Sequence, residues 1–479
     1  MSEWVSNAPA FAVVGKINMG KSSVLATLLE IDDDHILRVS STPGETTRCL
    51  ILPVEYDGRE MMRFIDTPGF SNALEAMRVI QERHGKGSPN LETIKQFVHA
   101  ELDGGKFADE ARLLEPIVEG AGVLYVIDPS KPLRDDFIAE MEILRWTGCP
   151  RMALLNEKAS DSERLSEWRS RLGSYFNLVR TFNAHRAQFA ERTRLLKSLL
   201  EIDESRREQI EETITFIEQE WDQRREQSAD EILDCLSRAM AHRESVPLDQ
   251  TEEEIEERKL RKLEEVTQKY YGEICKIEEK TYTKFLKIYR HQTLSVDVTD
   301  RSFEGVDLSS EETWQKWGLS RKQITLVGGV AGGAAGLLVD VGSAGFTHGW
   351  GTLLGTIGGA SAAFLKGDSL PDLKIGELSA DSKKALVVGP PSNLNFPFIL
   401  LDHLLYHYAQ VVCRAHGKRE EAVIGSKVEP AVVKTFSRKR NATFQKWFSA
   451  LGKKDVPFDS EVYRELLEVL REVENKTDQ

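Results

Sequence analysis

Cysteine is scarce and widely spaced in this sequence. The 479 residues include five cysteines, no two of which form a CxxC pair, and the closest two, Cys235 and Cys275, are 40 positions apart. Disulfide frameworks and zinc ribbons need closely spaced cysteines, so this spacing argues against both and fits a reducing compartment. The N-terminal stretch MSEWVSNAPAFAVVG has no basic segment followed by an apolar one. We therefore expect no secretory signal and a cytoplasmic protein.

An excess of positive charge is also missing. The chain has 63 Lys and Arg against 77 Asp and Glu, which gives a net charge of −14. Overall basicity therefore cannot drive binding to nucleic acid, and no nucleic-acid partner is expected. The hydrophobic content of 41% and charged content of 29% fit a helix-rich protein with an ample core rather than a disordered chain. The length predicts two or more domains.

Residues 1–200 alternate short apolar runs with helical segments, which is typical of an α/β domain with a mostly parallel sheet and helices on both faces. Six runs are predicted as strands: Phe11–Val14, Leu50–Tyr56, Met62–Asp66, Gly122–Ile127, Arg151–Leu155 and Leu178–Phe182.

A mainly α-helical region is predicted to follow this domain. Apolar residues recur in steps of three and four at Ile210, Ile214, Ile217 and Trp221, and again at Leu263, Val266, Tyr270, Ile274 and Ile277. This period indicates amphipathic helices that pack together, and a coiled coil is one form of such packing. The intervening HRESVPLDQTEEE is predicted as a turn. We place a charged helical region at 201–322, a glycine-rich apolar hairpin at 323–366, and a helical C-terminal region, beginning with an apolar helix at Phe396–Ala415, at 367–479.

The strongest motif is Gly15-Lys-Ile-Asn-Met-Gly-Lys-Ser22, which lies between the apolar run FAVVG and the helical segment SSVLATLLE. This is a complete G-x-x-x-x-G-K-S phosphate loop in its expected strand–loop–helix setting. Its backbone N–H groups and the helix N-terminus would face phosphates. Lys21 would reach the β- and γ-phosphates, and the Ser22 hydroxyl would bind Mg²⁺.

Two downstream segments fit the same site. Phe64-Ile-Asp-Thr-Pro-Gly69 is an apolar strand that ends in D-x-x-G, so Asp66 would hold magnesium through a water and the Gly69 N–H would contact the γ-phosphate. Between the two motifs, the polar loop STPGETTR is where a threonine is expected to bind Mg²⁺ once the γ-phosphate orders the loop.

With these motifs, about the first 200 residues resemble the small-GTPase branch that contains TrmE, Era and EngA, in which this loop ends in Thr-Thr-Arg. The resemblance implies GTP and GDP as ligands, Thr47 as a metal ligand and catalytic residue beside Lys21, and a potassium ion bound by Asn18. Asparagine is also simply a good turn residue, and both interpretations of Asn18 stay open. The predicted nucleotide-binding residues are Gly15, Asn18, Met19, Gly20, Lys21, Ser22, Ser23, Gly69 and Asn156.

The sequence departs from that branch at two places. Phe70 follows Asp-Thr-Pro-Gly where many small GTPases have a water-positioning glutamine, so slow intrinsic hydrolysis is expected. The guanine-binding Asn-Lys-x-Asp motif is replaced by Asn156-Glu-Lys-Ala159, and alanine cannot accept hydrogen bonds from guanine. The preference for GTP over ATP therefore rests on the resemblance alone. Phe182-Asn-Ala-His185 occupies the place of the last base-contacting loop.

Asp340 is the single Asp, Glu, Lys or Arg between Gln323 and Leu365, where glycines recur every fourth residue at 328, 332 and 336 and at 351, 355 and 359. Such stripes let helices approach closely, but the two arms are shorter than the ~20 residues of a bilayer span. Three interpretations stay open: a membrane-inserting hairpin, a buried hairpin covered by the charged helices, and a flexible loop. Residues 427–454 are basic with interleaved aromatic residues, which fits either an anionic membrane surface or a helix that packs its aromatic residues on its neighbours.

This order of segments also resembles a bacterial family of GTPase proteins whose C-terminal half is a domain of unknown function. We therefore expect a Mg²⁺-dependent GTPase that switches a helical effector region, in the cytoplasm and reversibly associated with the inner membrane. A protein partner or a second copy of the chain would bind through the helical region. Two alternatives remain: a nucleotide-dependent scaffold with little turnover, and a membrane-remodelling or pore-forming effector licensed by nucleotide.

Overall fold

The computed structural model describes residues 8–31, 48–56, 58–157, 164–247, 255–292, 294–296, 373–378, 383–389, 395–418, 422–424, 432–451 and 459–476. The first of its sheets has six strands in the order β2-β3-β1-β4-β5-β6. All neighbours in this sheet are parallel except β2 and β3, which are antiparallel. The strands are β1 (Ala10–Val14), β2 (Leu50–Tyr56), β3 (Arg59–Asp66), β4 (Gly122–Ile127), β5 (Arg151–Asn156) and β6 (Leu178–Phe182). The mostly parallel α/β fold is thus confirmed.

Seven helices cover the two faces of this sheet. They are α1 (Lys21–Leu29), α2 (Ala73–His84), α3 (Leu91–Glu101), α4 (Ala108–Val118), α5 (Asp135–Trp146), α6 (Leu165–Leu172) and α7 (Phe189–Leu200). Helices α1 and α7 pack on one face, whereas α2 to α6 pack on the other. Three of them, α2, α3 and α4, follow one another between β3 and β4. The central strands β1 and β4 are buried at every position, which accounts for their continuous apolar runs.

A helical region follows the α/β domain. Its helices are α8 (Arg207–Ala241), α9 (Ile255–Ile288), α10 (Asn395–Val412), α11 (Arg438–Ala450) and α12 (Ser460–Lys476). They share one apolar core, to which α8 and α9 contribute residues along their facing sides. The predicted amphipathic helices are therefore present, while the predicted coiled coil stays a prediction.

Helix α8 belongs to two cores at once. Ile210, Ile214 and Ile217, near its start, lie in the apolar cluster that α1 and α7 form on the six-stranded sheet. Trp221, one turn further, lies in the core of the helical region. The α/β domain and the helical region are therefore joined through a single continuous helix.

Two small sheets complete the described residues. The strands β7 (Glu244–Pro247), β9 (Leu373–Leu378) and β10 (Lys383–Val388) form an antiparallel sheet in the order β7-β10-β9. The strands β8 (Leu294–Val296) and β11 (Ala422–Ile424) pair in parallel. The segment HRESVPLDQTEEE, predicted as a turn, therefore contains the strand β7, because β10 supplies a partner that lies far away in the sequence.

The basic stretch at 427–454 includes α11, whose aromatic residues are buried. Phe436, Phe444, Trp447 and Phe448 all lie in the core of the helical region, and Arg440 pairs with glutamates of α12. The structure thus favours core packing over membrane contact for these aromatic residues. Among the described helices, none is both long enough and apolar enough to span a bilayer. The predicted glycine-rich hairpin at 323–366 lies outside the described residues.

Candidate functional site

The phosphate loop leaves the centre of the sheet, directly after β1. All five residues of β1 are buried, and β1 lies between β3 and β4. Gly15 has φ +150°, and a Cβ at this position would lie 2.4 Å from the carbonyl oxygen of Val126 in β4. The loop can therefore start so close to the neighbouring strand only because residue 15 is glycine.

Two left-handed residues then turn the chain into α1. Asn18 has φ 66° and Gly20 has φ 92°, a conformation that glycine adopts freely and asparagine tolerates better than most residues. Gly20 is the N-cap of α1 and offers no side chain to the helix. The first N–H groups of an α-helix point out of its N-terminus, and the helix dipole favours an anion there.

Lys21 folds back across the loop. Its Nζ donates to the carbonyl oxygens of Gly15 at 2.7 Å and Lys16 at 3.3 Å. Burial lowers the pKa of Lys21, while the nearby charges of Asp66 and Glu140 act in the opposite direction. A partly buried ammonium group beside the helix N-terminus is the electrostatic setting that a polyphosphate requires.

The second predicted motif adjoins this loop. Asp66 ends β3 and is 8% exposed, and Thr67 Oγ1 donates to the Val13 carbonyl oxygen at 2.8 Å. A Cβ on Gly69 would lie 3.4 Å from the Gly15 carbonyl oxygen and 3.6 Å from the Ile17 amide nitrogen. The chain after β3 therefore runs directly alongside the phosphate loop, as the two motifs predict.

Asn156 connects the phosphate loop to the loop that follows β6. Its Nδ2 donates to the Met19 carbonyl oxygen at 3.3 Å, and its Oδ1 accepts from the Ala184 amide at 3.2 Å. The side chain is fully buried, so its two amide ends join the predicted phosphate-binding and base-binding loops. Asn156 thus shapes the site from behind, and direct nucleotide contact stays a prediction.

Phe70, which replaces the expected glutamine, is 7% exposed and packs in the apolar cluster under α2 and α5. With Lys16, Ile17 and Phe137, it lines a cavity of about 280 Å³ beside the phosphate loop. A buried phenyl ring can exclude water but cannot orient it. The slow intrinsic hydrolysis expected from this replacement stays a prediction.

Some predicted site residues cannot be placed. Thr47, and the degenerate base motif from Lys158 to Asp161, lie outside the described residues. Within the described ranges, His, Cys, Asp and Glu do not form a group of three suited to a metal. The magnesium site of Ser22, Asp66 and Thr47 stays a prediction.

A polar cluster of Lys16, Tyr125 and Glu140 adjoins the phosphate loop and was not predicted from the sequence; Tyr125 and Glu140 are fully buried. Tyr125 Oη donates to Glu140 Oε2 at 2.7 Å, and Lys16 Nζ lies 3.5 Å from Glu140 Oε1. One signal could have revealed it. Glu140 lies three positions after Phe137 and four before Leu144, on the face of α5 that the helical period assigns to the core.

Two family models match the chain. Residues 10–156 match the family described as 50S ribosome-binding GTPase, and residues 169–470 match the Domain of unknown function (DUF3482). Among curated proteins, the probable GTP-binding protein EngB of Gemmatimonas aurantiaca is 28% identical over 200 residues, which cover 40% of this chain and 82% of that protein.

Two solved structures illustrate the structural matches. Era, in complex with MgGDPNP and nucleotides 1506–1542 of 16S ribosomal RNA, is 18% identical with a TM-score of 0.28; the match covers 41% of this chain and just over half, 56%, of the Era chain. LeoA, a bacterial dynamin GTPase from ETEC, is 12% identical with a TM-score of 0.24, and the match covers 99% of this chain and 80% of LeoA. Scores this low carry no argument about function.

The strand–loop–helix arrangement around Lys21 and the adjacent D-x-x-G segment agree with the N-terminal family match, which indicates a P-loop GTPase domain. The DUF3482 match spans more than half of the chain, and the protein therefore belongs to the DUF3482 family, with a P-loop GTPase domain at its N-terminus.

Proposed function

We propose that this protein binds and hydrolyses GTP at the phosphate loop and that the nucleotide state sets the arrangement of the helical region. The observation that carries the catalytic part is the position of Lys21. Its ammonium group lies across a loop whose backbone can cradle phosphates, with the Asp66 carboxylate near enough to act on its pKa.

The residues of the site fit Mg²⁺. A serine hydroxyl in the first turn of α1 and a buried carboxylate at the end of β3 supply oxygen ligands, which Mg²⁺ prefers. Ser22, Thr47 and Asp66 would hold the ion, directly or through water, and the ion would neutralise charge on the phosphates. Lys21 would hold the γ-phosphate, and the Gly69 N–H would respond to its presence.

Potassium is the second proposed ion. Asn18 is exposed, and its side-chain oxygen would be a ligand for a cation bound beside the phosphates. A monovalent cation at that position would offset the negative charge that develops during phosphoryl transfer.

The switching part of the proposal rests on α1, which connects the site to the helical region. The helix begins at Lys21 and its C-cap is Glu30, which is 6% exposed and has φ 53°. Glu30 forms ion pairs with Arg192 of α7 and with Arg224 of α8, the latter at 2.8 Å. Arg290, just after α9, lies 3.9 Å from the same carboxylate. A movement at the phosphate loop would therefore act directly on α8 and α9.

A second contact links the helical region to the base side of the site. Thr27 of α1 donates to the Ala184 carbonyl oxygen at 2.9 Å. A Cβ on Gly417, just after α10, would lie 2.2 Å from that oxygen and 2.8 Å from Thr27 Oγ1. The loop that Asn156 holds is thus in tight contact with the C-terminal region, which gives base binding a second route to the helices.

Membrane association is the remaining part of the proposal, and its support is the composition of residues 323–366. A nearly uncharged segment with repeated glycines suits insertion into, or docking on, a bilayer. The membrane surface, a protein partner or a second copy of the chain would then respond to the switch. We place the protein in the cytoplasm, reversibly associated with the inner membrane.

The central experiment compares nucleotide binding and hydrolysis in the wild type and in Lys21→Ala, with GTP and ATP in parallel. Loss of the ammonium group should lower turnover on the order of 100-fold, as removal of one charge-stabilising donor does elsewhere. Lys197→Ala is the matched control, since Lys197 is an exposed lysine of α7 that pairs with Glu218 of α8. Unchanged turnover in a folded Lys21→Ala protein, or a preference for ATP, would contradict the proposal.

A further inference from the structure

The side chain of Lys16 leaves the phosphate loop and ends on α5. Its ammonium group pairs with Asp136, lies 3.5 Å from Glu140 Oε1, and sits 4.6 Å from the centre of the Phe137 ring. The three partners are within two turns of one helix. The side chain of Lys16 thereby connects the phosphate loop to Asp136 and Glu140 of α5, and we call this connection the tie.

Glu140 is the buried end of this tie. Its side chain is 0% exposed, and its second oxygen accepts the hydrogen bond from Tyr125, a fully buried residue of β4. A buried carboxylate costs free energy unless it is paired, and an apolar residue facing this core would avoid that cost. The charge at this position therefore points to a task other than stability.

The backbone that Lys16 anchors is the same backbone that receives Lys21. The carbonyl oxygens of Gly15 and Lys16 both accept from Lys21 Nζ. On the opposite side, a Cβ on Gly69 would lie 3.7 Å from the Lys16 Cα. A loss of the tie to α5 would thus release the loop at the point where the phosphate-binding lysine and the D-x-x-G segment meet.

We propose that Glu140 is a positioning residue of the nucleotide site, which holds the phosphate loop in its binding conformation through Lys16. The inference rests on the proposed function, since it assigns Glu140 a role in binding the same nucleotide. Glu140 would act on the nucleotide only through the side chain of Lys16.

The charge of Glu140 gives the tie a pH dependence. Burial raises the pKa of Glu140 to about 7, against the hydrogen bond from Tyr125 and the charge of Lys16, while Asp136 raises it further. The Lys21 ammonium also acts on this carboxylate. As the pH rises through about 7, Glu140 becomes ionised and its carboxylate attracts the Lys16 ammonium. Below pH 7 Lys16 keeps the partly exposed Asp136 as its anionic partner.

The test compares wild type, Glu140→Gln and Glu142→Gln at pH 6 and pH 8. Glu142 is the matched control because it lies on the same helix and pairs with Arg145. One readout is the affinity for a fluorescent GDP analogue. The other is hydrogen exchange of the amides of residues 15–22 without nucleotide, corrected for the intrinsic effect of pH. At pH 8 we expect Glu140→Gln to weaken binding about fivefold, which is the lower end of typical coupling between sites, and to speed exchange. At pH 6 we expect little change in either measurement.

The outcomes separate the two proposals. Wild type that binds no guanine nucleotide contradicts the proposed function, whereas the exchange data still test the tie. Equal affinity and exchange in Glu140→Gln and wild type, or an equal defect at both pH values, would overturn the positioning role. Should Glu140→Gln fail to fold, Tyr125→Phe decides: removing its hydrogen bond from the ionised carboxylate should move the midpoint of the pH dependence upward, and an unmoved midpoint refutes the inference.

Discussion

Glu30→Gln is the substitution that best tests whether the α/β domain and the helical region are held together by charge. Glu30 lies at the end of α1, 6% exposed, between Arg192 and Arg224. Burial by itself would raise its pKa, but Arg192, Arg224 and His416 together hold the pKa well below its ordinary 4.5. Glutamine keeps the shape of the side chain and removes the charge.

The expected loss follows from the partners that remain. Arg224 keeps a second carboxylate, Glu220, at 2.8 Å. Arg192, 9% exposed, loses the carboxylate that it contacts but still donates to the Leu28 carbonyl oxygen at 3.0 Å. Removing one partner of a buried pair costs about 3–5 kcal/mol. Because Arg224 keeps a carboxylate, we expect a loss near the lower end, about 3 kcal/mol in the free energy of unfolding.

Urea unfolding followed by tryptophan fluorescence measures this loss, and Trp221 is well placed because it stacks on Phe189 of α7 at 4.2 Å between ring centres. Glu212→Gln is the control. Glu212 of α8 pairs with Arg59 of β3 across the same boundary, but both side chains are exposed, 40% and 68%. Its loss should stay below about 1 kcal/mol.

The pH dependence supplies the refuting result. A carboxyl group whose pKa is lowered by folding contributes stability above its unfolded pKa and loses that contribution as the pH falls toward the folded value. The difference between wild type and Glu30→Gln should therefore be full at pH 7 and shrink below about pH 4.5. Equal losses of unfolding free energy in Glu30→Gln and Glu212→Gln would refute the idea that the buried ion pairs of Glu30 hold the α/β domain to the helical region. A difference between wild type and Glu30→Gln that does not change with pH would refute it as well.

Two further predictions concern ions and membranes. If Asn18 binds potassium, GTP hydrolysis should be faster in KCl than in NaCl at equal ionic strength and Asn18→Ala should remove the difference; equal rates in both salts would leave Asn18 as a turn residue. Liposome flotation should persist after a high-salt wash, because apolar burial contributes ~25 cal/mol per Å² independently of salt, whereas attraction of basic residues to lipid is screened over ~8 Å. Salt-resistant flotation of a chain lacking residues 324–365 would contradict the membrane role of that segment.

The sequence allowed much of the α/β domain to be predicted, for physical reasons. A strand buried on both faces is a continuous apolar run, so Gly122–Ile127 was predicted with the bounds that the structure has. The edge strand Leu50–Tyr56 was also predicted with its observed bounds, although only Leu52 in it is buried. The phosphate loop was predictable because Gly15 and Gly20 occupy backbone conformations that few other residues accept. In both cases the information is local.

The remaining features depend on partners far away in the sequence. Lys16 and Asp136 are separated by 120 positions, and no periodicity relates them. Strand β7 exists because β10 pairs with it. The aromatic residues of α11 have a helical spacing that suits a core as well as a membrane surface, and only the packing of Phe444 and Phe448 distinguishes the two.

Helix α1 has nine residues, which makes it about 14 Å long. The proposed phosphate site lies at its N-terminus, beside Lys21, and the carboxylate of Glu30 pairs with arginines at its C-terminus. Two equilibria that share one rigid element obey reciprocity, so each must change the other by the same factor. If nucleotide loosens the arginines from Glu30, then a partner that prefers the loosened arrangement of the helices must tighten the hold on nucleotide equally. Such a partner would act at the Glu30 end of α1 and would raise the affinity for nucleotide without contacting the phosphate loop.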